Sequence, residues 1–268
     1  MGRLGTNLLI SCVASETRPP DELCLILDYA GKQFQANDPK LTLTNLMITY
    51  ANIRWDSRTN SKPMANIIDR TLKLDGDLLA STLSMPPSWK PRITIVDYDS
   101  ERIYGWHFDS YAHRHVTQVW NVHRLVRIIL NEAVIESHKI NATGYPTGPL
   151  LLVETTRTNI QAMASEICAS APQYLYCRYA NSRPECSNHI YTPAQNLDCY
   201  TLIFPLYVVG WSKSTPDSLK SWVIDQLHYM GSHFGIRNAE LVGQILERGE
   251  NLNPWAIYAL IGSYAFVA

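Results

Sequence analysis

Trp120, His123, Arg127 and Asn131 are the residues of this sequence best spaced to form a polar binding site. They follow one another at three- and four-residue steps, so on a helix they lie in one row. Indole, imidazole, guanidinium and amide groups of this kind fix the polar parts of small ligands in apolar pockets. We predict a ligand-binding pocket at this row. The alternative is that His123 and Arg127 bond to neighbouring helix ends or loop carbonyls and only fix the packing, which is the more common case because buried polar groups need partners anyway.

The row belongs to a long segment, Ser110 to His138, that contains neither Gly nor Pro. Its apolar residues recur at the spacing of one helix face, and they are Val119, Val122, Val126, Ile129, Leu130 and Ala133. Trp120, Leu125 and Val134 widen that stripe beyond what a solvent-facing helix needs. The pattern therefore predicts a central helix packed on several sides, with the polar row along the edge of its buried face.

The composition is that of a globular protein. Of the 268 residues, 46% are hydrophobic and 18% are charged, so we expect one large domain over residues 1–268, with two tightly joined halves as the alternative. Lys and Arg number 23 against 24 Asp and Glu, which gives no electrostatic reason to expect contact with nucleic acid. No stretch approaches the roughly 18 unbroken apolar residues of a membrane span. We therefore expect an intracellular, soluble protein without membrane contact.

Apart from the central helix, the chain divides into amphipathic helical segments separated by Gly- and Pro-containing loops. We predict an all-α fold, an irregular domain of about nine helices around the central one. Arg92 to Val96 is β-like but too isolated to found a sheet. Ala194 to Val209 is predicted to be one apolar helix kinked by Pro205. Gln173 to Pro193 has no assignable pattern.

Several familiar chemistries are excluded by spacing. No glycine cluster sits between a strand and a helix as a nucleotide loop requires. The segment Gly231 to Gly235 resembles a nucleophile elbow, but its Ser is one position early and no strand precedes it. His113 and His115 would diverge on a helix, and the six cysteines include no C-x-x-C pair. We expect no catalytic residue, no metal site and no cofactor, and we expect reduced, mostly buried thiols.

Three phrases of the sequence resemble one known family in combination. The first is the phrase Tyr111 through Val134, which contains the run W-N-x-x-R-x-x-R-I-I-L-N-E from Trp120 to Glu132. The second is I-C-A-S-A-P-Q-Y-L, from Ile167 to Leu175, and the third is F-P-L-Y-V-V-G, from Phe204 to Gly210, with Trp222 and Met230-Gly231 following it. The residue types of these phrases and their order along the chain resemble those of the regulatory region of fungal zinc-cluster transcription factors. The resemblance covers roughly Asn45 to Leu246, and none of its phrases encodes a chemistry.

The resemblance implies an all-helical regulatory domain of the middle-homology type. The cysteine-rich zinc cluster that binds DNA in that family has no match here, because its closely paired cysteines and basic flank are missing. We therefore expect no direct DNA binding by this chain. We expect it to act through protein partners or a small-molecule effector, in the nucleus or alternatively the cytoplasm, and we leave a homodimer open. Members of that family often govern secondary-metabolite gene clusters, so the resemblance implies control of such a cluster as the setting in which this chain acts.

Two hypotheses about function follow. The first is a non-enzymatic regulatory protein that controls transcription, and we favour it because the resemblance coincides with missing catalytic signatures. The second is an accessory enzyme or ligand-binding protein of natural-product biosynthesis, with its site in a pocket beside the central helix. Function belongs to the site and not to the fold, so a helical domain can host either.

Overall fold

The computed structural model describes residues 2–33, 38–97, 101–141, 148–176 and 193–262. About 75% of them are helical and the sheet has only two strands, so the predicted all-α fold is confirmed. The elements are α1 (Gly2–Ser15), α2 (Asp21–Gln33), α3 (Pro39–Arg58), α4 (Met64–Leu83), a 3-10 turn (Pro87–Trp89), β1 (Arg92–Ile95), β2 (His107–Ser110), α5 (Arg114–Asn141), α6 (Gly148–Ala169), α7 (Pro172–Leu175), α8 (Pro193–Tyr200), α9 (Ile203–Trp211), α10 (Asp217–Phe234), α11 (Arg237–Glu247) and α12 (Pro254–Ile261). Within these ranges no helix combines the length and apolar composition needed to cross a bilayer.

Local signals explain where several helices begin. The Asp38 side chain accepts a hydrogen bond from the Leu41 amide at 2.9 Å, and Pro39 occupies the first turn of α3, where its missing N–H breaks no intrahelical bond. Asn253 caps α12 in the same way, accepting from the Trp255 amide at 2.9 Å. These caps satisfy amide donors that a helix leaves unpaired at its N-terminus.

The central helix, α5, is the element around which the core is built. It packs most extensively on α6 and also on α4 and α9. Its residues 116–132 are buried with the single exception of Trp120, which is half-buried. Buried side chains from α1 to α12 join in one hydrophobic cluster, while the single-domain boundary at 1–268 stays a prediction.

The helix begins at Arg114, four residues after the Ser110 start suggested by the sequence. Ser110 instead ends β2, which pairs antiparallel with β1 in a register that sets Arg92 opposite Ser110 and Ile95 opposite His107. The run at Arg92, which we expected to be too isolated to found a sheet, thus forms a sheet of two strands. Its partner, His-Phe-Asp-Ser, contains no β-branched residue, so composition gave no sign of a strand.

The segment predicted as one kinked helix from Ala194 to Val209 is two helices. α8 ends at Tyr200 and α9 begins at Ile203. Pro205 lies in the first turn of α9, where an amide would have no intrahelical partner, so it starts a helix here and does not kink one. Short segments of this kind raise the number of helices above the nine or so expected.

The unassigned segment Gln173 to Pro193 is described only in part. Residues Gln173 to Leu175 belong to the short helix α7 and are largely buried. Residues 177–192 lie outside the described ranges. Residues 142–147, between α5 and α6, also lie outside them.

Two glycines give a paired test of the packing. A Cβ added to Gly231 would lie 2.7 Å from the Glu240 Cβ and 3.2 Å from its Cα, whereas one added to Gly76 in α4 would meet nothing within 4 Å. We expect Gly231→Ala to destabilise the protein by about 1–3 kcal/mol, because α10 and α11 would have to separate. Gly76→Ala should instead stabilise it by up to about 1 kcal/mol, because alanine loses less backbone entropy in a helix. Urea unfolding of both variants measures this, and shifts of the same sign would contradict the assigned contacts.

Candidate functional site

Two of the four predicted site residues, Arg127 and Asn131, bind one carboxylate on the neighbouring helix. The Arg127 Nε donates to Asp75 Oδ1 at 2.8 Å and its Nη2 donates to Oδ2 at 3.3 Å. The Asn131 amide donates to the same Asp75 Oδ1 at 2.9 Å and to the Arg127 carbonyl at 2.8 Å. Since Asp75 lies on α4 and the other two on α5, this forked ion pair joins the two helices.

His123 is fully buried at the same edge of α5. Its Nδ1 lies 2.8 Å from the Val119 carbonyl and its Nε2 lies 3.2 Å from Ser81 Oγ. Only a neutral imidazole with its proton on Nδ1 can donate to the carbonyl while accepting from the serine hydroxyl. Burial, together with the charges of Arg124 and Arg127, lowers the pKa of His123 to about 4, against the raising effect of the hydrogen bond to the Val119 carbonyl. The ring is therefore neutral at physiological pH.

The fourth residue of the row, Trp120, donates from its Nε1 to the Trp89 carbonyl at 2.8 Å. The structure thus brings all four residues together where α5 faces α4 and the 3-10 turn. Each uses its polar groups on protein atoms, as the packing alternative requires. Ligand binding at this row stays a prediction, and a ligand using these atoms would have to displace the contacts just described.

A second polar row on α5, which the sequence analysis missed, faces α6. The Arg124 Nε donates to Glu166 Oε2 at 2.9 Å, its Nη1 donates to Asn121 Oδ1 at 3.1 Å, and its Nη2 lies 3.9 Å from Asp109 Oδ2. Asn121 in turn donates to Ser170 Oγ at 2.9 Å. The side chains of Arg124 and Asp109 are only 3% and 6% exposed, so this is a buried ion pair. Burial raises the pKa of Asp109, while Arg124 lowers it.

Two further contacts extend the same framework. Gln173 accepts from the Tyr111 amide at 2.8 Å and donates to Thr117 Oγ1 at 3.1 Å, which ties α7 to the start of α5. Glu132 accepts from the Ser214 amide at 3.0 Å and from the Ser212 hydroxyl, which ties α5 to the turn after α9. The polar side chains of the three sequence phrases are thus bonded to one another or to adjoining segments. Sequence could have drawn attention to Asn121 and Arg124, because both are fixed positions of the first phrase.

A cavity of about 370 Å³ lies on another side of α5, between that helix, α3, the turn after α9 and the start of α12. Ile129, Glu132, Ala133 and Glu136 of α5 line it. The remaining lining residues are Arg54, Trp211, Lys213, Asn251, Asn253, Pro254 and Trp255. Its volume is within the range of small-molecule sites, and its walls combine aromatic rings with charges of both signs.

The charged groups of the cavity differ in what else they bind. The Arg54 Nε donates to the Val13 carbonyl at 2.8 Å and its Nη2 donates to Glu16 Oε1 at 2.7 Å, while its guanidinium lies 5.7 Å from the Trp255 ring centre. Glu132 is buried, whereas Lys213 and Glu136 are exposed. Glu132 is therefore the charged group of the lining that is most shielded from solvent.

Other chemistry-bearing residues are placed as follows. Ser232 lies within α10 and its Oγ donates to the His228 carbonyl at 2.9 Å, so the Gly231 to Gly235 segment forms a helix end and no strand-to-helix elbow. His113 precedes α5, so the expected divergence of the His113 and His115 rings on a helix does not occur, and the rings stack with centres 5.4 Å apart. Among the described residues, no group of three or more His, Cys, Asp or Glu side chains is placed to hold a metal ion.

The described cysteines form no disulfide, and three of them are buried. They are Cys12, Cys24, Cys168 and Cys199, of which Cys24 is half-buried. Burial raises the pKa of the Cys168 thiol far above its usual range, so it stays protonated and unreactive. Cys177 and Cys186 lie outside the described ranges.

Comparison with known proteins adds no relative: no protein-family model, no curated protein and no solved structure matches the chain. The chain is an all-α protein in which a central helix carries a buried polar framework on the sides facing α4 and α6. The same helix borders a cavity lined by aromatic and charged residues.

Proposed function

We propose that this chain is a non-enzymatic regulatory protein that controls transcription through a protein partner or a small-molecule effector. Fungal gene expression, such as that of a secondary-metabolite gene cluster, is the setting that the resemblance suggests, with the nucleus as the site of action. The near-neutral charge, 23 basic against 24 acidic residues, favours an indirect route to DNA over direct binding.

One observation carries the proposal: the three resembling phrases, far apart in the chain, contribute to one hydrophobic core, and hydrogen bonds join the first phrase to the second and to the turn after the third. Asn121 of the first phrase bonds to Ser170 of the second, and Gln173 of the second bonds to Thr117 of the first. Glu132 of the first phrase bonds to Ser212, two residues after the third. Residues that hold one another in this way specify a fold, which explains why the phrases carry no recognisable chemistry.

The cavity beside α5 supports the effector part of the proposal. It lies next to Glu132, so a bound ligand would touch the residue that joins the central helix to the turn after α9. A ligand that binds one arrangement of these helices better than another shifts their equilibrium by its difference in affinity.

The test is a strain of the source organism from which the gene is deleted, with transcripts of the neighbouring genes and the metabolite profile measured together. We expect the transcripts to fall as a group and to recover when the gene is returned. If transcripts persist while one intermediate accumulates, the chain is an accessory enzyme or its helper, and the regulatory proposal is wrong.

A further inference from the structure

We propose that the cavity beside α5 binds a small organic cation, a protonated amine on an apolar skeleton, with Glu132 as its counter-ion. Such a ligand would be the effector of the regulatory function proposed above, so its role as an effector rests on that proposed function. Binding itself is a property of the purified protein, so the two ideas can fail separately.

The Glu132 carboxylate is held by two hydrogen bonds but has no ion-pair partner among the described residues. Glu132 is 8% exposed, and its Oε1 accepts from the Ser214 amide at 3.0 Å and from the Ser212 hydroxyl. Among the described residues, no Lys, Arg or His nitrogen lies within 4.0 Å of its carboxylate, and Oε2 has no hydrogen-bond partner. Buried carboxylates are rarely left without a cation. A ligand ammonium at Oε2 would supply the missing charge.

The walls of the cavity suit the rest of such a ligand. Trp211 and Trp255 contribute indole groups, and Ile129, Ala133 and Pro254 contribute apolar surface. Tryptophan rings attract cations through their π-electron density, and they also cover apolar skeletons. The cavity, about 370 Å³, has room for a single-ring or two-ring amine.

The two basic residues of the lining, Arg54 and Lys213, do not cancel the preference of the cavity for a cation. Arg54 is held by Glu16 and by the Val13 carbonyl, so its charge is already compensated. Lys213 is exposed, as is Glu136, and two exposed charges of opposite sign are weakened by solvent and by salt. Glu132 is the least exposed charged residue of the lining, and among the described residues its carboxylate has no ion-pair partner.

Isothermal titration calorimetry with three indole probes tests the assignment on the whole chain. Tryptamine carries the ammonium, tryptophol carries a neutral hydroxyl on the same skeleton, and indole-3-acetate carries the opposite charge. We expect tryptamine to bind at least about tenfold more tightly than either analogue, because only it can pair with Glu132. Equal binding of tryptamine and tryptophol, or no tryptamine binding up to about 1 mM, would overturn the proposal.

A variant pair locates the binding. Glu132→Gln keeps an oxygen to accept from Ser212 and Ser214 but removes the charge, so tryptamine affinity should fall by at least about tenfold. Glu154→Gln, at an exposed glutamate of α6 outside the cavity lining, should change affinity by less than about threefold. Circular dichroism checks that both variants fold. If Glu132→Gln does not fold, the comparison of the three probes on the unmodified chain tests the proposal. Equal loss of affinity in both variants, or none in Glu132→Gln, would contradict Glu132 as the counter-ion.

Discussion

Replacing Arg124 by alanine is expected to cost about 3–5 kcal/mol of unfolding free energy, a large part of the stability of an ordinary domain. The guanidinium is the only basic group paired in the described structure with Asp109, and it also bonds to Glu166 and Asn121. Without it, the Asp109 carboxylate would remain buried and uncompensated, and the Asn121 carbonyl oxygen would lose a donor. An uncompensated buried charge is more costly than the pair was worth, which is why the expected loss is large.

Urea unfolding followed by circular dichroism measures that loss. The matched control is Arg157→Ala, since Arg157 pairs with Glu154 at 3.1 Å but both side chains are largely exposed, at 45% and 64%. Exposed pairs of this kind contribute little, so the control should change stability by less than about 0.5–1 kcal/mol. If Arg124→Ala loses no more unfolding free energy than Arg157→Ala, the buried framework does not stabilise the fold.

The second large effect is a loss of stability on acidification that depends on His123. Its pKa is lowered to about 4 in the folded protein, chiefly by burial, against an ordinary value of 6.5. Above pH 6.5 the residue is neutral in both states and contributes no pH dependence. Between pH 6.5 and 4 the unfolded chain binds a proton that the folded chain does not, so unfolding becomes easier as the pH falls. The expected loss by about pH 4.5 is about 2–3 kcal/mol.

Asp109 acts in the opposite direction. Its pKa is raised in the folded protein, chiefly by burial, so the folded chain takes up that proton first and gains stability as the pH falls toward the ordinary carboxyl pKa. The contribution of His123 is therefore isolated by comparison with His123→Gln, which can still accept from Ser81 but does not titrate. Urea unfolding at several pH values should give a shallower acid dependence for the variant, and identical slopes would contradict the neutral, buried imidazole.

Much of the helical core could be predicted because its signals are local. The apolar spacing from Val119 to Ala133 depends only on helix periodicity, so the central helix was predicted in the right place. Its first residue was misplaced because the Ser110 backbone is held by pairing with Arg92, eighteen residues earlier. Pairing between distant residues leaves no local pattern when the strand lacks β-branched side chains.

The polar sites were less predictable for the same reason. His123, Arg127 and Asn131 were correctly placed in one row, yet their partners Asp75 and Ser81 come from α4 and were not foreseen. A carboxylate more than fifty residues away has no sequence signature, because only the packing of the two helices brings it close. The cavity is a stronger case, since its lining runs from Arg54 to Trp255 and only the tertiary fold assembles it.

One experiment tests both the proposed regulation of transcription and the proposed effector site in the cavity at Glu132. It measures transcripts of the neighbouring genes in the deletion strain after return of either the unmodified chain or Glu132→Gln, at matched protein levels. We predict that the unmodified chain restores the transcripts and that Glu132→Gln does not. Equal restoration by both chains would contradict the role of the cavity, and transcripts unaffected by the deletion would contradict the regulatory function itself.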